Sequence, residues 1–163
     1  MENEQIKRII EEAEFLGCPT QRNALLKDYT TFKIGWSCDL LIDINGEESI
    51  IKLIPLVEQF GIPYYIFGKG SNLILDSAGV NGVVFIIGDN YSNIIRKDDT
   101  TLICTSGTSI LQICEATLEF CLSGFEFAYG IPGTLGGAVY MNAGAWGGEM
   151  KDVITNVKAM DRL

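Results

Sequence analysis

The segment from Gly130 to Glu149 constrains the fold of this chain more than any other stretch. Seven of its twenty residues are glycine, so side chains leave much of the space around it unfilled. Glycine permits positive φ and lets backbone N–H groups approach an anion without an intervening Cβ. Within the segment, residues 134–139 are expected to begin a short helix whose N-terminal N–H groups would favour a diphosphate.

A glycine cluster of this kind has two interpretations. Taken alone, it is more often a glycine-rich surface loop than a ligand site. This cluster, however, also contains apolar residues that a solvated loop would not carry, namely Ile131, Leu135, Val139, Met141 and Trp146. We therefore favour a buried cradle in which the backbone faces a ligand.

Length, charge and hydropathy narrow the class of protein. A chain of 163 residues is one domain or two small lobes, and a chain of this size buries roughly 70% of its unfolded surface. The net charge is −9 and no basic patch is present, which argues against a nucleic-acid partner. No apolar run is long enough to cross a membrane, and the first residues are too charged for a signal peptide. We expect a cytoplasmic protein with no membrane partner.

Histidine is absent and the five cysteines form no C-x-x-C pair. The absence of histidine excludes Ser-His and Cys-His catalysis, histidine metal sites and histidyl attachment of a cofactor. The scattered cysteines, which have apolar neighbours, are expected to be reduced residues of the core. Any cofactor is therefore expected to be bound non-covalently, and we predict no metal site.

Hydrophobic periodicity predicts helices at residues 4–16, 47–60 and 109–121, with the second kinked or split at Pro55 and the third ended by Gly124. Strands are predicted at residues 39–44, 64–67, 101–105 and 153–160. Residues 73–75 and 83–87 are predicted to form paired strands or a hairpin. Residues 23–33 are expected to be extended, and residues 88–100 to form a solvated turn with no special role.

The order of strand, helix and strand over residues 39–67 predicts a βαβ crossover, with the loop GKGSNL at residues 68–73 following its second strand. In parallel sheets, ligands bind at the carboxyl ends of strands. The loop is not a Walker A motif, because Gly70 follows Lys69 where Ser or Thr is required, and Leu73 breaks the dinucleotide fingerprint. What remains is either a nest of N–H donors or a tight turn between strands.

Three motifs together resemble one family. YTTFKIG at residues 29–35, FGKGSNLIL at 67–75 and the glycine-rich segment at 130–149 are similar to UDP-N-acetylenolpyruvoylglucosamine reductases, from about Asn23 onward. The resemblance implies an α+β fold of the p-cresol methylhydroxylase and vanillyl-alcohol oxidase type, in which two lobes grip FAD. Here residues 1–75 and 76–163 would form those lobes.

The same resemblance implies FAD-binding residues on both glycine segments, converging on one dinucleotide. On the first segment these are Phe67, Gly68, Lys69, Gly70, Ser71, Asn72 and Leu73. On the second they are Tyr129, Ile131, Pro132, Gly133, Thr134, Gly136, Gly137, Ala138, Asn142, Ala143, Gly144 and Ala145. Tyr129 is either a flavin contact or a core aromatic. Two loops lying far apart would contradict this assignment.

The reaction implied by the resemblance uses NADPH to reduce the flavin, which then reduces UDP-N-acetylglucosamine enolpyruvate to UDP-N-acetylmuramate in peptidoglycan synthesis. The family's catalytic arginine, serine and glutamate are implied in a substrate-binding domain beyond Leu163. Arg162 does not match the catalytic arginine, and Trp36 and Trp146 replace the glycine and tyrosine we would expect. We therefore expect no catalytic residue here and little or no reductase activity from this chain. Another FAD-linked oxidase of the same fold, or a non-catalytic nucleotide-binding module, are the alternatives.

Overall fold

The computed structural model describes residues 2–76 and 78–161 and shows an α+β fold. The helices are α1 (Glu2–Phe15), α2 (Glu47–Gln59), α3 (Ile110–Glu119), α4 (Leu135–Tyr140) and α5 (Met150–Val153). The strands are β1 (Thr20–Arg22), β2 (Cys38–Asp43), β3 (Tyr64–Phe67), β4 (Val80–Ile86), β5 (Ile94–Arg96), β6 (Leu102–Cys104), β7 (Gly144–Ala145) and β8 (Gly148–Glu149). Short 3-10 turns lie at Leu26–Tyr29, Asp89–Tyr91 and Glu126–Ala128.

A four-stranded sheet in the order β1-β2-β4-β3 organises the first part of the chain. Strands β2 and β3 both run parallel to β4, and β1 is antiparallel to β2. The predicted βαβ crossover from β2 through α2 to β3 is present, with β4 inserted between its two strands. Asp43 and Phe67, the last residues of β2 and β3, are both register partners of Ile86 at the end of β4. The carboxyl ends of the three parallel strands therefore lie side by side.

Helices α1 and α2 cover one face of this sheet, as their periodicity predicts. The buried contacts join Ile9 of α1 and Leu53 of α2 to Leu40, Ile42 and Phe85 of the sheet. The opposite face packs against the chain around Leu26, Tyr29, Leu73 and Leu75. Because both faces are covered, β2 and β4 consist mostly of buried apolar residues, as parallel strands usually do.

The second part of the chain is built around α3 and α4. Ser109 caps α3 in a reciprocal pair of hydrogen bonds with Gln112. Ile110, Ala128, Ala138 and Met150 form a separate small core. The β5–β6 and β7–β8 pairs are antiparallel and lie outside the four-stranded sheet.

Two predicted strands are wrong. Residues 73–75 do not pair with 83–87, because β4 pairs in parallel with β2 and β3 while Leu73 and Leu75 pack on the sheet face. Residues 153–160 form no strand: Val153 is the last residue of α5, which Glu149 and Asp152 cap reciprocally, and the described residues after it have no regular structure. Strand β4, which ends at Ile86, belongs to the same sheet as β3. The boundary between lobes predicted after residue 75 therefore lies between these two strands.

Smaller expectations about chain breaks also differ from the structure. Pro55 does not split α2, which is continuous from Glu47 to Gln59, and both Pro55 and Ile51 lie on its exposed side. Water can therefore bond the carbonyl of Ile51 that the proline leaves without a donor. Helix α3 ends at Glu119 and not at Gly124, because Cys121 takes a left-handed φ of 54°. Residues 26–29 form a 3-10 turn within the segment that was expected to be extended.

All five cysteines are free thiols. The expected core role holds for Cys18 and Cys38, which are buried, and is wrong for Cys121, which is exposed. Burial raises the pKa of the Cys38 and Cys104 thiols to about 11. None of the helices within residues 2–76 and 78–161 combines the length and apolar character that spanning a membrane requires.

Candidate functional site

A cleft of about 590 Å³ opens where the three parallel strands end. This is the position at which parallel sheets usually bind ligands, because the loops after neighbouring strands diverge there. The cleft is lined by Asp28, Tyr29, Thr30, Thr31, Lys33, Asp43, Gly68, Lys69, Ser71, Ile86, Gly88, Asp89, Asn90, Pro132 and Gly133. Residues of both glycine segments line this cleft.

The two glycine segments meet in the cleft. Ser71 Oγ donates a hydrogen bond of 3.1 Å to the carbonyl oxygen of Pro132. A Cβ added to Gly133 would lie 3.1 Å from Ser71 Oγ, and a Cβ added to Gly68 would collide with Thr134 Oγ1. The close approach of the loops expected from the sequence is therefore present, and it requires glycine at residue 68.

The YTTFKIG segment packs directly against the first glycine loop. Gly70 has a φ of +62°, and a Cβ there would overlap the carbonyl oxygen of Tyr29. The N–H of Thr31 donates to the carbonyl oxygen of Gly70 at 3.1 Å, and Thr30, which is buried, donates through its hydroxyl to Ile34 O at 3.2 Å. Residues 28–31 and 33 thus form a wall of the cleft, a role that the sequence motif by itself did not assign to them.

Residues 88–90, which we predicted to be a turn with no special role, also belong to the cleft. Lys69 Nζ lies 3.7 Å from Asp89 Oδ1, so an ion pair joins the loop after β3 to the turn after β4. Asn90 Nδ2 donates to Asp43 Oδ2 at 2.8 Å, joining the same turn to the end of β2. The signal that could have found these residues is their place directly after a parallel strand.

Asp43 is the most unusual polar group of the cleft. Its Oδ1 is buried, and it is the one buried side-chain nitrogen or oxygen without a hydrogen-bond partner in the described part of the chain. Burial raises the pKa of the Asp43 carboxyl, the hydrogen bond from Asn90 lowers it, and the negative charge of Asp89 raises it further. Tyr29 also has a raised pKa, first through burial and then through the charges of Asp43 and Asp28.

Helix α4 begins as predicted, but its first N–H groups already have partners. Leu135 N donates to Thr108 O and Gly136 N donates to Ser106 O, each at 2.8 Å. A Cβ on Gly136 would lie 2.8 Å from Ser106 Cβ, so glycine here permits contact with protein and not with a ligand. These two N–H groups are therefore unavailable to a diphosphate.

Of the predicted site residues, those that line the cleft are Gly68, Lys69, Ser71, Pro132 and Gly133. The others do not line it: Phe67, Gly70, Asn72, Leu73, Tyr129, Ile131, Thr134, Gly136, Gly137, Ala138, Asn142, Ala143, Gly144 and Ala145. Their contribution to FAD binding stays a prediction.

Several of the residues outside the cleft have identifiable structural roles. Phe67 and Ala138 are buried in two different cores. Asn142 accepts a hydrogen bond from Lys151 N at 3.0 Å and donates to Glu149 at 2.6 Å, so its side chain orders the segment before α5. Tyr129 is 70% exposed, which rules out the alternative that it is a core aromatic.

Comparison with known proteins identifies the class to which this fold and cleft belong. The family profile described as an FAD binding domain matches residues 39–162. The chain belongs to this FAD-binding domain family, and the predicted α+β FAD-binding fold is confirmed.

The similar proteins are reductases. The UDP-N-acetylenolpyruvoylglucosamine reductase of Clostridioides difficile (strain 630) is 43% identical over 136 residues, which are 83% of this chain and 44% of that protein. The enzyme of the same name from Caldanaerobacter subterraneus subsp. tengcongensis is 39% identical over 158 residues, 97% of this chain and 50% of that protein. The crystal structure of UDP-N-acetylenolpyruvylglucosamine reductase from Thermus caldophilus superposes with a TM-score of 0.65 at 32% identity, covering 83% of this chain and 46% of that one. The chain thus spans about half the length of these relatives, and the resemblance to their FAD-binding region is confirmed.

The residues of the cleft fit a flavin dinucleotide. Gly68 and Gly133 let the two glycine segments pack closely on Thr134 and Ser71, Lys69 provides a positive charge in the cleft wall, and Asp43 provides a carboxylate with one oxygen that lacks a donor. A dinucleotide offers the matching groups, because it carries a doubly negative diphosphate between sugars with several hydroxyls.

Proposed function

We propose that this chain binds FAD non-covalently in the cleft at the carboxyl ends of β2, β4 and β3. The observation that carries the proposal is the hydrogen bond from Ser71 Oγ to Pro132 O, which closes the two glycine segments on one another. Membership in the FAD-binding domain family supports the choice of FAD as the ligand. The lack of histidine supports non-covalent binding, since no histidyl tether is available.

The residues of this chain would bind and orient the cofactor. Lys69 would exchange its exposed ion pair with Asp89 for the more highly charged diphosphate, and backbone N–H groups of the loop after β3 would face the same group. Ile86 would cover an apolar part of the ligand. FAD supplies hydride-transfer chemistry when it is bound, and the protein supplies orientation and charge.

For the whole protein we propose a reductase that uses NADPH to convert UDP-N-acetylglucosamine enolpyruvate into UDP-N-acetylmuramate during peptidoglycan synthesis in the cytoplasm. The names of the similar proteins support this choice over another FAD-linked oxidase or a non-catalytic nucleotide module. Because the chain covers about half of those proteins, we propose that it supplies the FAD-binding part and is inactive as a reductase by itself. Tyr129 would contact the flavin, and Ile131 and Thr134 would line the flavin or the diphosphate.

Titration of the purified protein with FAD tests the binding proposal. We expect saturable quenching of flavin fluorescence at one FAD per chain, a higher Tm with FAD, and complete release of the flavin into solution after denaturation. The absence of both quenching and thermal stabilisation at high FAD concentration would refute the proposal. Flavin that stays with the denatured protein would contradict non-covalent binding.

A second assay separates binding from turnover. With FAD, NADPH and the UDP-sugar substrate present, this chain should consume NADPH no faster than free FAD does. A chain extended to the full length of the relatives should be active, and the NADPH and NADH rates of that longer protein would test the preferred reductant. Substrate-dependent turnover by residues 1–163 alone would overturn the proposed division of roles.

A further inference from the structure

We propose that Asp43 accepts a hydrogen bond from a hydroxyl of the adenosine ribose of the dinucleotide, and so selects a ribose without an additional phosphate. The inference rests on the proposed FAD binding and adds a residue that determines specificity within that site. Neither glycine segment contains this residue, which enters the cleft from β2.

The position of Asp43 suits this role. It is the last residue of β2 and the register partner of Ile86, which in turn pairs with Phe67. Gly68 and Lys69 follow Phe67 directly, so the loop proposed to hold the diphosphate begins beside the Asp43 carboxylate. In the Rossmann fold, whose fingerprint this chain lacks, an acidic residue accepts the hydrogen bond of a ribose hydroxyl, which shows that a carboxylate is suited to this contact.

The hydrogen bonding of Asp43 is incomplete in the protein alone. Asn90 donates to Oδ2 at 2.8 Å and fixes the carboxylate, whereas Oδ1 is buried without a donor. A buried acceptor without a partner lowers stability, and native proteins rarely keep one. Asp43 lines the cleft, and a carboxylate has about four acceptor sites, so it has capacity for a ligand donor besides Asn90.

The charges around Asp43 favour a neutral donor over a phosphate. Asp89 lies close enough to raise the Asp43 pKa, and Tyr29 and Asp28 face the same cleft. Two cations line the cleft: Lys69 is engaged by Asp89, and Lys33 donates to the carbonyl oxygen of Asp28. A phosphate placed beside Asp43 would therefore be repelled by like charges, while a ribose hydroxyl would supply a hydrogen-bond donor for the carboxylate. The ribose is also the group directly attached to the diphosphate on the adenosine side.

Competition against FAD by small adenosine nucleotides gives the test. The probes are ADP, 2′-deoxy-ADP, 3′-deoxy-ADP and ADP carrying a 2′-phosphate, each displacing FAD from the wild type and from D43A, D43N and D89N. Hydrogen bonds to charged groups change affinity roughly tenfold to a hundredfold. We expect the wild type to lose affinity by about that factor for one of the deoxy analogues. D43A should lose a similar factor for FAD and ADP and no longer distinguish ADP from that analogue.

D89N is the matched control, because it removes a neighbouring negative charge and leaves the Asp43 acceptor in place. It should strengthen the binding of all the anionic probes and keep the preference for ADP over the deoxy analogue. D43N should fall between the wild type and D43A, since its amide oxygen still accepts a hydrogen bond. D43A should also reduce the difference in affinity between ADP and its 2′-phosphorylated form.

The possible failures can be told apart. No FAD binding by the wild type would overturn the proposed function and this inference together. FAD binding that D43A leaves unchanged would overturn this inference alone. If D43A loses affinity equally for ADP and both deoxy analogues, the role of Asp43 is purely structural. If D43A loses affinity equally for FAD and FMN, Asp43 contacts the ribityl chain. Each of these results would overturn the inference. A thermal melt of each variant without ligand shows whether the fold is retained, and D43N carries the test if D43A is unfolded.

Discussion

Ser71 Oγ donates a 3.1 Å hydrogen bond to the carbonyl oxygen of Pro132, sixty-one residues further along the chain. This bond joins the loop after β3 to the segment before α4 at the wall of the cleft. The first segment packs through Phe67 on one hydrophobic core and the second through Ala138 on another. The relative placement of the two loops therefore depends on contacts between them.

Replacing Ser71 with alanine should weaken FAD binding more than it weakens folding. Both bonded atoms are near solvent, so water replaces the lost partner and the free energy of unfolding should fall by less than about 1 kcal/mol. The FAD dissociation constant should rise several-fold in a fluorescence titration. Ser92→Ala is the matched control, since its hydroxyl makes a 3.5 Å contact with Gln112 away from the cleft. If Ser71→Ala binds FAD as tightly as the wild type does, the hydrogen bond from Ser71 to Pro132 is not important for FAD binding.

Replacing Gly68 with alanine should both destabilise the protein and weaken FAD binding. The new Cβ would collide with Thr134 Oγ1, and Thr134 is only 2% exposed, so it has little room to move. Overpacking of this kind costs about 1–3 kcal/mol, which urea unfolding can measure. Gly46→Ala is the control without a collision: nothing lies within 4 Å of the added carbon, so it should lose only the N-cap preference for glycine over alanine at the start of α2. The double variant Gly68→Ala, Thr134→Ala removes the colliding hydroxyl and should recover part of the loss; no recovery would show that the collision is not the cause.

Lys69 and Asp89 should have opposite effects on the affinity for FAD. Their ion pair is long at 3.7 Å and both side chains are well exposed, so breaking it should change stability by less than about 1 kcal/mol. Lys69→Ala should weaken FAD binding and reduce its dependence on salt, since a cation beside the diphosphate is lost. Asp89→Asn should strengthen binding, because it frees Lys69 and removes a like charge. Isothermal titration of each variant with FAD, at low and at moderate salt, measures these affinities. If both substitutions change the affinity in the same direction, Lys69 does not exchange Asp89 for the diphosphate.

The Asp43 carboxyl should make stability without ligand depend on pH in a defined direction. Burial, the largest cause, raises its pKa in the folded protein above the ordinary value of 3.8, so the folded state holds this proton more tightly than the unfolded chain. Its contribution to stability is therefore largest below the unfolded pKa and is lost as pH rises through the folded pKa. Asp43→Asn should raise the Tm at pH 7 and show a smaller gain near pH 4. An equal gain at both pH values would exclude titration of Asp43 as the cause.

Local patterns predicted the elements whose buried residues recur with a regular period. Helices α1, α2 and α3 and strand β3 lie within a few residues of their predicted bounds, because their apolar residues recur with the period of the element and Gly17 marks the end of α1 with a φ of 73°. The closeness of the two glycine segments, which the resemblance to the reductases implied, also holds. The bounds of the periodic elements depend on neighbours in the sequence.

The errors fall where contacts between distant residues decide the structure. The insertion of β4 between β2 and β3 turned an expected hairpin into parallel pairs. The N–H groups of Leu135 and Gly136, expected to face a ligand, instead bond to Ser106 and Thr108. No periodicity or motif within either segment specifies such pairings.

The sequence by itself determined the family and the two glycine-rich loops, because those properties follow from residue type and order. The need for glycine at residues 68 and 70 comes from tertiary contacts with Thr134 and Tyr29. Only the tertiary structure decided that Asp43, Lys69 and Asp89 share one cleft with these loops. Each of these three residues follows or ends a different parallel strand, and strands so far apart in the chain are brought together only by sheet order and register. Burial of one Asp43 oxygen without a donor is likewise a product of that packing, which no local pattern of residues encodes.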